Sequence, residues 1–199
     1  MKIKSISARE IISSGATPSL EVKVTLKNGI TGKASVPFGA SAGKHEAYVL
    51  FDKGKRYNGK GMLKAVNNIN KKIAPKLKGE NANNQFAIDR LLNKIDGTKN
   101  KKKLGANAIL GVSLAIARAS ANNANIPLYA YIRKTFKLPI KKYTLPNPQM
   151  VVIEGGKHAD NSTDLQEYLI SPIKGNSIKE EVRAGLEVYQ ELKNILKKN

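Results

Sequence analysis

Residues 20–36, Leu20-Glu21-Val22-Lys23-Val24-Thr25-Leu26-Lys27-Asn28-Gly29-Ile30-Thr31-Gly32-Lys33-Ala34-Ser35-Val36, form the stretch that decides the fold. Apolar and polar residues alternate on both sides of Asn28-Gly29, which is the spacing of two half-buried β-strands joined by a tight turn. The Asn-Gly pair predicts a hairpin with a type I′ turn. A further strand from Lys2 to Ile12 would complete a three-stranded antiparallel meander, whose apolar face needs a cover.

The next hundred residues supply helices for that cover. Two amphipathic stripes at helical spacing end at Pro75 and Gly97. Their apolar members are Met62, Leu63, Val66, Ile69 and Ile73 in the first stripe and Phe86, Ile88, Leu91, Leu92 and Ile95 in the second. The alanine-rich segment from Ala106 to Asn122 has apolar side chains on all sides, so we expect a helix that is buried nearly all round. The pattern predicts an α+β domain in which helices cover the meander.

A second unit begins after a proline-interrupted linker between Lys134 and Pro148. The apolar runs Met150–Ile153 and Leu165–Ile170 predict strands, and residues 178–196 carry apolar side chains at helical spacing. This order of strand, strand and helix is typical of the start of a larger sheet or barrel. We therefore predict one domain over residues 1–138 and the opening of another over 139–199.

Charge is unevenly distributed along the 199 residues, whose formal net charge is +20. Residues 1–143 contain 28 basic and 7 acidic residues, whereas 144–199 contain 7 and 8. Such a basic region could neutralise phosphates, with Lys99-Asn100-Lys101-Lys102-Lys103 as the obvious contact. Lysine predominates over arginine, however, and no interleaved aromatic residues offer bases a stacking platform, so a solvated lysine surface is the better interpretation.

The cysteine content and the absence of long apolar runs favour a cytoplasmic protein. The chain has no cysteine, so it has no disulfide framework. It contains neither a run of about 18 apolar residues nor an apolar signal core, and a membrane partner is not expected.

Three sequence blocks contain residues that could bind a substrate or take part in catalysis. The first is the glycine loop at residues 37–47, Pro-Phe-Gly-Ala-Ser-Ala-Gly-Lys-His-Glu-Ala, and the second is residues 103–115, Lys-Leu-Gly-Ala-Asn-Ala-Ile-Leu-Gly-Val-Ser-Leu-Ala. The third is Glu154-Gly155-Gly156-Lys157-His158-Ala159-Asp160 with Asp164-Leu165-Gln166-Glu167-Tyr168. The third block places imidazole, amide and carboxylate groups beside a glycine pair, a mixture that suits an anionic substrate.

In their order along the chain and in their amino-acid sequences, these three blocks resemble the enolase family. The resemblance extends from Ala8-Arg9-Glu10-Ile11 to residues 185–193, Gly-Leu-Glu-Val-Tyr-Gln-Glu-Leu-Lys, and implies an amino-terminal capping domain followed by a barrel. A barrel of this type needs roughly 250 residues, whereas 56 follow Tyr143. We therefore expect most of the barrel to be absent and the chain alone to be catalytically incomplete.

The resemblance implies phosphopyruvate hydratase activity, which interconverts 2-phosphoglycerate and phosphoenolpyruvate, with Mg²⁺ as cofactor. It implies that Ser41 is a Mg²⁺ ligand in a mobile loop where Gly39 and Ala40 contact substrate. His158 and Gln166 would contact substrate, and Glu167 would be the carboxylate beside the reacting atoms. The lysine base and the main metal carboxylates would follow residue 199. The implied partner is a second copy of the chain or a complementing barrel fragment.

The chain also departs from the enolase pattern. Residues 13–19 read Ser-Ser-Gly-Ala-Thr-Pro-Ser where the family usually has Asp-Ser-Arg-Gly-Asn-Pro-Thr, and Val151 and Glu154 replace usual asparagines. Glu154 adds negative charge beside a site for an anion. Two other functions therefore stay open, a non-catalytic dimerisation module and a basic nucleic-acid-binding protein.

Overall fold

The computed structural model describes residues 1–198 except 38, 40–42, 157, 158, 160, 161 and 174. The chain forms two compact units, Met1–Pro139 and Ile140–Asn199. No helix in the described part of the chain is long and apolar enough to cross a membrane.

The first unit is built on the predicted meander. Strands β1 (Ile3–Ile12), β2 (Pro18–Leu26) and β3 (Thr31–Val36) form one antiparallel sheet in the order β1-β2-β3. One face of β2 is fully buried, at residues Leu20, Val22, Val24 and Leu26. This alternation, with helices on the buried side, confirms the α+β fold class.

The turn at Asn28-Gly29 differs from the predicted type I′. The Leu26 N–H donates to the Ile30 carbonyl at 2.8 Å, and the Gly29 N–H donates to the Leu26 carbonyl at 3.0 Å. Gly29 has a left-handed φ of 88°, but Asn28 is not among the residues with positive φ. Because a type I′ turn needs positive φ at both central residues, the prediction is wrong. The connection is a three-residue loop that ends in a left-handed glycine.

The helical layer contains, in chain order, a 3₁₀ turn at Arg56–Gly59, α1 (Leu63–Asn68), a π-helical segment (Ile69–Ile73), α2 (Ala74–Leu77), α3 (Gln85–Asp96), α4 (Ala106–Asn123) and α5 (Leu128–Thr135). Both predicted stripes reach the core, with Val66, Ile69, Ile73, Ile88 and Leu92 buried. Leu63 and Phe86, predicted within those stripes, are instead exposed.

Helix α4 lies directly against the sheet because glycine replaces a side chain at two contacts. A Cβ on Gly32 of β3 would lie 2.2 Å from the Ala119 nitrogen, and a Cβ on Gly111 would lie 2.8 Å from Val22 Cγ2. The prediction that α4 is buried nearly all round is wrong, since Leu110 is 48% exposed. At these contacts the helix presents Gly111, Ala115 and Ala119 to the sheet.

Side chains from the helices cover both edges of the sheet. On β3, Asn122 donates to the Thr31 carbonyl at 2.8 Å and Arg118 donates to the Lys33 carbonyl at 3.0 Å. The two side chains are four residues apart on the helix, and the two carbonyls are two residues apart on the strand. These separations match because both correspond to similar distances. On β1, Asn70 of the π-helical segment both accepts from the Ala8 N–H and donates to its carbonyl. These bonds occupy groups that would otherwise invite pairing with another strand.

A buried carboxylate organises the loop between α3 and α4. Asp96 accepts hydrogen bonds from the N–H and hydroxyl of Thr98, and from the Leu104 N–H at 2.7 Å. Burial alone would raise the pKa of Asp96, but these hydrogen bonds and nearby Lys101 outweigh it, so its pKa is lowered. Asp96 thus fixes the residues that lead into α4.

The second unit contains β4 (Met150–Glu154), β5 (Glu167–Ile170) and α6 (Ile178–Lys198). Strands β4 and β5 pair antiparallel. Helix α6 approaches β4 at Gly185, where a Cβ would lie 2.3 Å from Met150 Sδ. The order strand, strand, helix is the one that the sequence predicts.

Substituting Gly32→Ala tests the close approach of β3 to α4. We expect a loss of about 3 kcal/mol in the free energy of unfolding, because the added methyl group meets backbone atoms that cannot move away independently. The loss in the free energy of unfolding is measured by urea denaturation monitored by circular dichroism. Gly15→Ala is the matched control, since a Cβ there has no atom within 4 Å. Equal stability of the two variants would contradict the account.

Candidate functional site

The first predicted loop borders a cavity of about 530 Å³ in the first unit. Gly39, predicted to contact substrate, lies on the cavity wall with Glu46 and Ala47. Ala40 and Ser41, the predicted substrate contact and Mg²⁺ ligand, lie outside the described residues. The structure therefore positions the end of this loop and leaves the assignments of Ala40 and Ser41 as predictions.

A short turn closes the carboxyl end of this loop. The Gly43 N–H donates to Glu46 Oε1 at 2.7 Å, and the Glu46 N–H donates back to the Gly43 carbonyl at 3.2 Å. The turn includes His45, for which the sequence suggests no role in catalysis. Glu46 thus shapes the loop through both its carboxylate and its backbone N–H.

The segment that follows the first sequence block meets the second block at the start of α4. Asn107, which is buried, accepts from the Leu50 N–H and donates to the Leu50 carbonyl, each at 3.2 Å. Nearby, the Ala106 N–H donates to the Tyr48 carbonyl at 2.8 Å. A single carboxamide therefore satisfies both backbone groups of Leu50 and holds the segment after the glycine loop against α4.

Sequence reasoning missed the importance of Asn107. The available signal is a polar residue in the first turn of an otherwise alanine-rich and apolar helix, directly after Gly105-Ala106. A buried amide in such a position needs hydrogen-bond partners. The identity of those partners depends on the tertiary fold and cannot be deduced from the spacing.

One wall of the cavity is polar. Asp89 Oδ1 accepts from the Ser113 hydroxyl at 2.7 Å and from Gln85 Nε2 at 3.0 Å. Asp89 and Ser113 both line the cavity. This network ties α3 to α4 and fixes one wall of the cavity.

The Gly155-Gly156 turn explains why the third block needs glycine. The Gly155 N–H donates to the Gln166 carbonyl and the Gly156 N–H to the Thr163 carbonyl, both at 2.8 Å. A Cβ on Gly155 would lie 2.3 Å from the Leu165 carbonyl oxygen, and Gly156 has a left-handed φ of 56°. Any side chain at residue 155 would push these two segments apart.

The two predicted site residues that follow this turn are both described. Glu167 is the first residue of β5, and Gln166 directly precedes the strand. Adjacent side chains within a regular strand point to opposite faces, and this constraint does not apply to Gln166, which lies outside β5. His158 lies outside the described residues, and Gly39 belongs to the other unit.

Glu154 faces Glu167 across the hairpin. The two residues are direct partners in the β4–β5 register, so their side chains share one face of the sheet. Like charges in this arrangement oppose pairing of the strands. Glu154, a departure from the pattern already noted, thus adds a second carboxylate beside a predicted catalytic one.

Within the described ranges, no group of three or more His, Cys, Asp or Glu side chains could hold a metal ion. Ser41, the predicted ligand, lies outside the described residues.

Comparison with known proteins covers both units. Residues 3–132 match the family model "Enolase, N-terminal domain", and residues 142–199 match "Enolase, C-terminal TIM barrel domain". The chain belongs to the enolase family. It is 50% identical over 196 residues to "Enolase" of Elusimicrobium minutum (strain Pei191), an alignment that covers 98% of this chain and 46% of that relative.

Family membership assigns each of the two units to an enolase domain. The sheet and helices of the first unit correspond to the enolase capping domain, and β4, β5 and α6 correspond to the start of the enolase barrel. The resemblance predicted from the sequence is confirmed. The chain spans less than half the length of the curated enolase that it matches.

Removing one charge from the hairpin tests the opposition of Glu154 and Glu167. We expect Glu154→Gln to stabilise the β4–β5 pairing by about 0.2–1 kcal/mol, because one of two opposed carboxylates becomes neutral. Slower amide hydrogen exchange in β5 reports the gain, which should shrink at high salt. Glu191→Gln, on α6, is the control and should leave β5 unchanged. Unchanged or faster exchange in the Glu154 variant would show that the carboxylates do not repel each other.

Proposed function

We propose that this chain takes part in enolase catalysis, the interconversion of 2-phosphoglycerate and phosphoenolpyruvate plus water, a lyase reaction of glycolysis. The observation that supports it is the match to both enolase family models, in chain order, over nearly all of its residues. In the forward reaction, the carbon next to the carboxylate loses a proton and the neighbouring carbon loses hydroxide. The two departing groups account for the water.

The hairpin of the second unit supplies three of the proposed residues. We assign Glu167 as the carboxylate beside the reacting atoms and Gln166 as a polar contact to substrate. His158 is assigned a contact with the anionic substrate and a part in proton chemistry. Support comes from the Gly155-Gly156 turn, which is hydrogen-bonded to the segment just before β5.

The glycine loop supplies the remaining residues of the proposal. Gly39 and Ala40 would contact substrate through the backbone, and Ser41 would offer its hydroxyl and carbonyl oxygens to Mg²⁺, a cation that prefers oxygen ligands. When bound, Mg²⁺ supplies positive charge against the substrate as its carboxylate gains negative charge. Closure of the loop would exclude water from the substrate.

The lysine base and the main metal carboxylates are assigned to residues outside these 199, so we propose that the chain alone is inactive. Catalysis needs the base, metal and substrate in one fixed geometry. A complementing barrel polypeptide or a second copy of the chain is the proposed partner, and the cytoplasm is the proposed location. Neither the membrane nor nucleic acid is a proposed partner.

A chimera tests this function. The chain would replace the matching 196 residues of the Elusimicrobium enolase, so that the relative supplies the rest of its barrel. We expect phosphoenolpyruvate absorbance to appear only with Mg²⁺, and Glu167→Gln to lower turnover about 100-fold, because it removes charge beside the transition state. Ser41→Ala should chiefly raise the Mg²⁺ requirement. The 199-residue chain alone should show no turnover.

Lys102→Ala is the control, because Lys102 lies on an exposed loop. Small and equal effects of Glu167→Gln and Lys102→Ala would remove the assigned site. A chimera that folds but stays inactive would instead favour a non-catalytic association module. Salt-sensitive binding of oligonucleotides that depends on Lys102 would favour a nucleic-acid-binding protein.

A further inference from the structure

The chain contains two Asn-Gly pairs, Asn28-Gly29 and Asn58-Gly59. Asparagine before glycine readily loses its side-chain amide, because glycine has no side chain to keep its backbone nitrogen away from the carboxamide. Both asparagines are exposed. Neither the dipeptide nor its exposure therefore distinguishes the two pairs, and a difference between them must come from how the fold holds each one.

Loss of the amide needs no enzyme, and water is the only co-reactant. The backbone nitrogen of the glycine gives up its proton and bonds to Cγ of the asparagine. The bond from Cγ to Nδ2 then breaks, and the side-chain nitrogen leaves with that proton as ammonia. Water opens the resulting five-membered imide at either carbonyl, which leaves aspartate or isoaspartate. Because the attack requires rotation of both side chain and backbone, hydrogen bonds that fix them slow the reaction.

Three hydrogen bonds hold the first pair. Asn28 Nδ2 donates to Asn123 Oδ1 on α4 at 2.8 Å, and Asn28 Oδ1 accepts from the Ile30 N–H at 3.3 Å. The Gly29 N–H donates to the Leu26 carbonyl at 3.0 Å. The carboxamide and the attacking nitrogen are thus both fixed, within a hairpin whose strands are paired.

The second pair lies in a loop that is closed only at its base. The Asp52 N–H donates to the Gly61 carbonyl at 2.8 Å, and the Lys53 N–H donates to the Gly59 carbonyl at 3.0 Å. The residues at the tip of the loop are exposed, and the turn that contains Asn58 has no buried residue. The Asn58 carboxamide makes no hydrogen bond with any other residue that the structure describes. Opening of this turn therefore sacrifices no core contact.

The backbone of the same turn is strained. Tyr57 has φ 50° and ψ 40°, and Asn58 has φ 50° and ψ 38°, so both are left-handed. Asparagine tolerates this region, whereas it is unfavourable for a bulky residue such as Tyr57. Strain raises the free energy of the closed turn, so less free energy is needed to rotate the Gly59 nitrogen toward Asn58 Cγ.

The loop is also positively charged. Residues 53–60 contain four basic residues and no acidic residue. Arg56 is paired with Glu10, but the net charge of the loop stays positive with Glu10 included. Attack by the Gly59 nitrogen passes through an anionic nitrogen and then an anionic oxygen on Cγ. Nearby cations stabilise both anions and favour the reaction.

We propose that Asn58-Gly59 is a site of spontaneous deamidation through an imide, and that the fold protects Asn28-Gly29 from the same reaction. The modification replaces a neutral amide in the loop by a carboxylate. In its isoaspartate form it also lengthens the backbone by one carbon. The site lies in the first unit and does not depend on the catalytic assignment.

Peptide mapping by mass spectrometry tests the proposal on the full chain, incubated at constant neutral pH and sampled over time. We expect the peptide with Asn58 to gain the mass of an amide-to-acid exchange at least about tenfold faster than the peptide with Asn28, the factor that two added side-chain hydrogen bonds give. A higher pH should speed the reaction at Asn58, because it favours loss of the Gly59 proton. In urea the two rates should converge, since unfolding releases Asn28.

Two variants assign the rates to particular groups. Asn123→Ala removes the acceptor of Asn28 Nδ2 and should speed deamidation at Asn28 severalfold, with the rate at Asn58 unchanged. Asn58→Gln has a longer side chain that cyclises far more slowly. This variant should lose the fast reaction and keep the slow one at Asn28.

Any of four results would overturn the proposal. Equal rates in the folded chain would show that the hydrogen bonds at Asn28 give no protection, and a stable Asn58 would show that its loop does not open. A rate ratio that persists in urea would assign the difference to the neighbouring sequence and not to the fold. An unchanged rate at Asn28 in Asn123→Ala would show that the contact with α4 does not hold the carboxamide.

Discussion

The close approach of α4 to the sheet is the constraint on which the rest of the first unit depends. Gly32 meets the backbone of α4 and Gly111 meets the side chains of β2 and β3 with no Cβ of their own in between, so α4 can reach far enough for Arg118 and Asn122 to cover the edge of β3. The same placement puts Asn107 beside Leu50. Core packing and the position of the glycine loop are therefore consequences of one helix–sheet contact.

Much of this architecture follows from sequence periodicity, because burial of one face determines which positions must be apolar. Alternation around Asn28-Gly29 located β2 and β3 but not the turn type, which depends on whether Leu26 and Ile30 pair. Periodicity also could not orient α4. In a helix that carries apolar residues on every side, steric fit selects the buried side, and Gly111 fits against the sheet while Leu110 does not.

The extent to which the sequence predicts the candidate site differs from the extent to which it predicts the fold. Family-like motifs drew attention to Gly155-Gly156 and Glu167, and the structure adds the steric reason for Gly155 and the unexpected partnership of Glu167 with Glu154. The contacts of Asn107 with Leu50 and of Asn28 with Asn123 were not foreseen. Both arise where segments distant in sequence meet, and local spacing carries no information about such contacts.

The most direct test of this account is hydrogen exchange of the Leu50 amide in Asn107→Ala. Its N–H is held by the Asn107 carboxamide, so the account predicts exchange at least about fivefold faster, with α4 still protected. Asn122→Ala, which changes the same residue type at the other end of α4, should leave Leu50 unchanged. Exchange of Leu50 at the unaltered rate in Asn107→Ala would contradict the claim that α4 positions the loop.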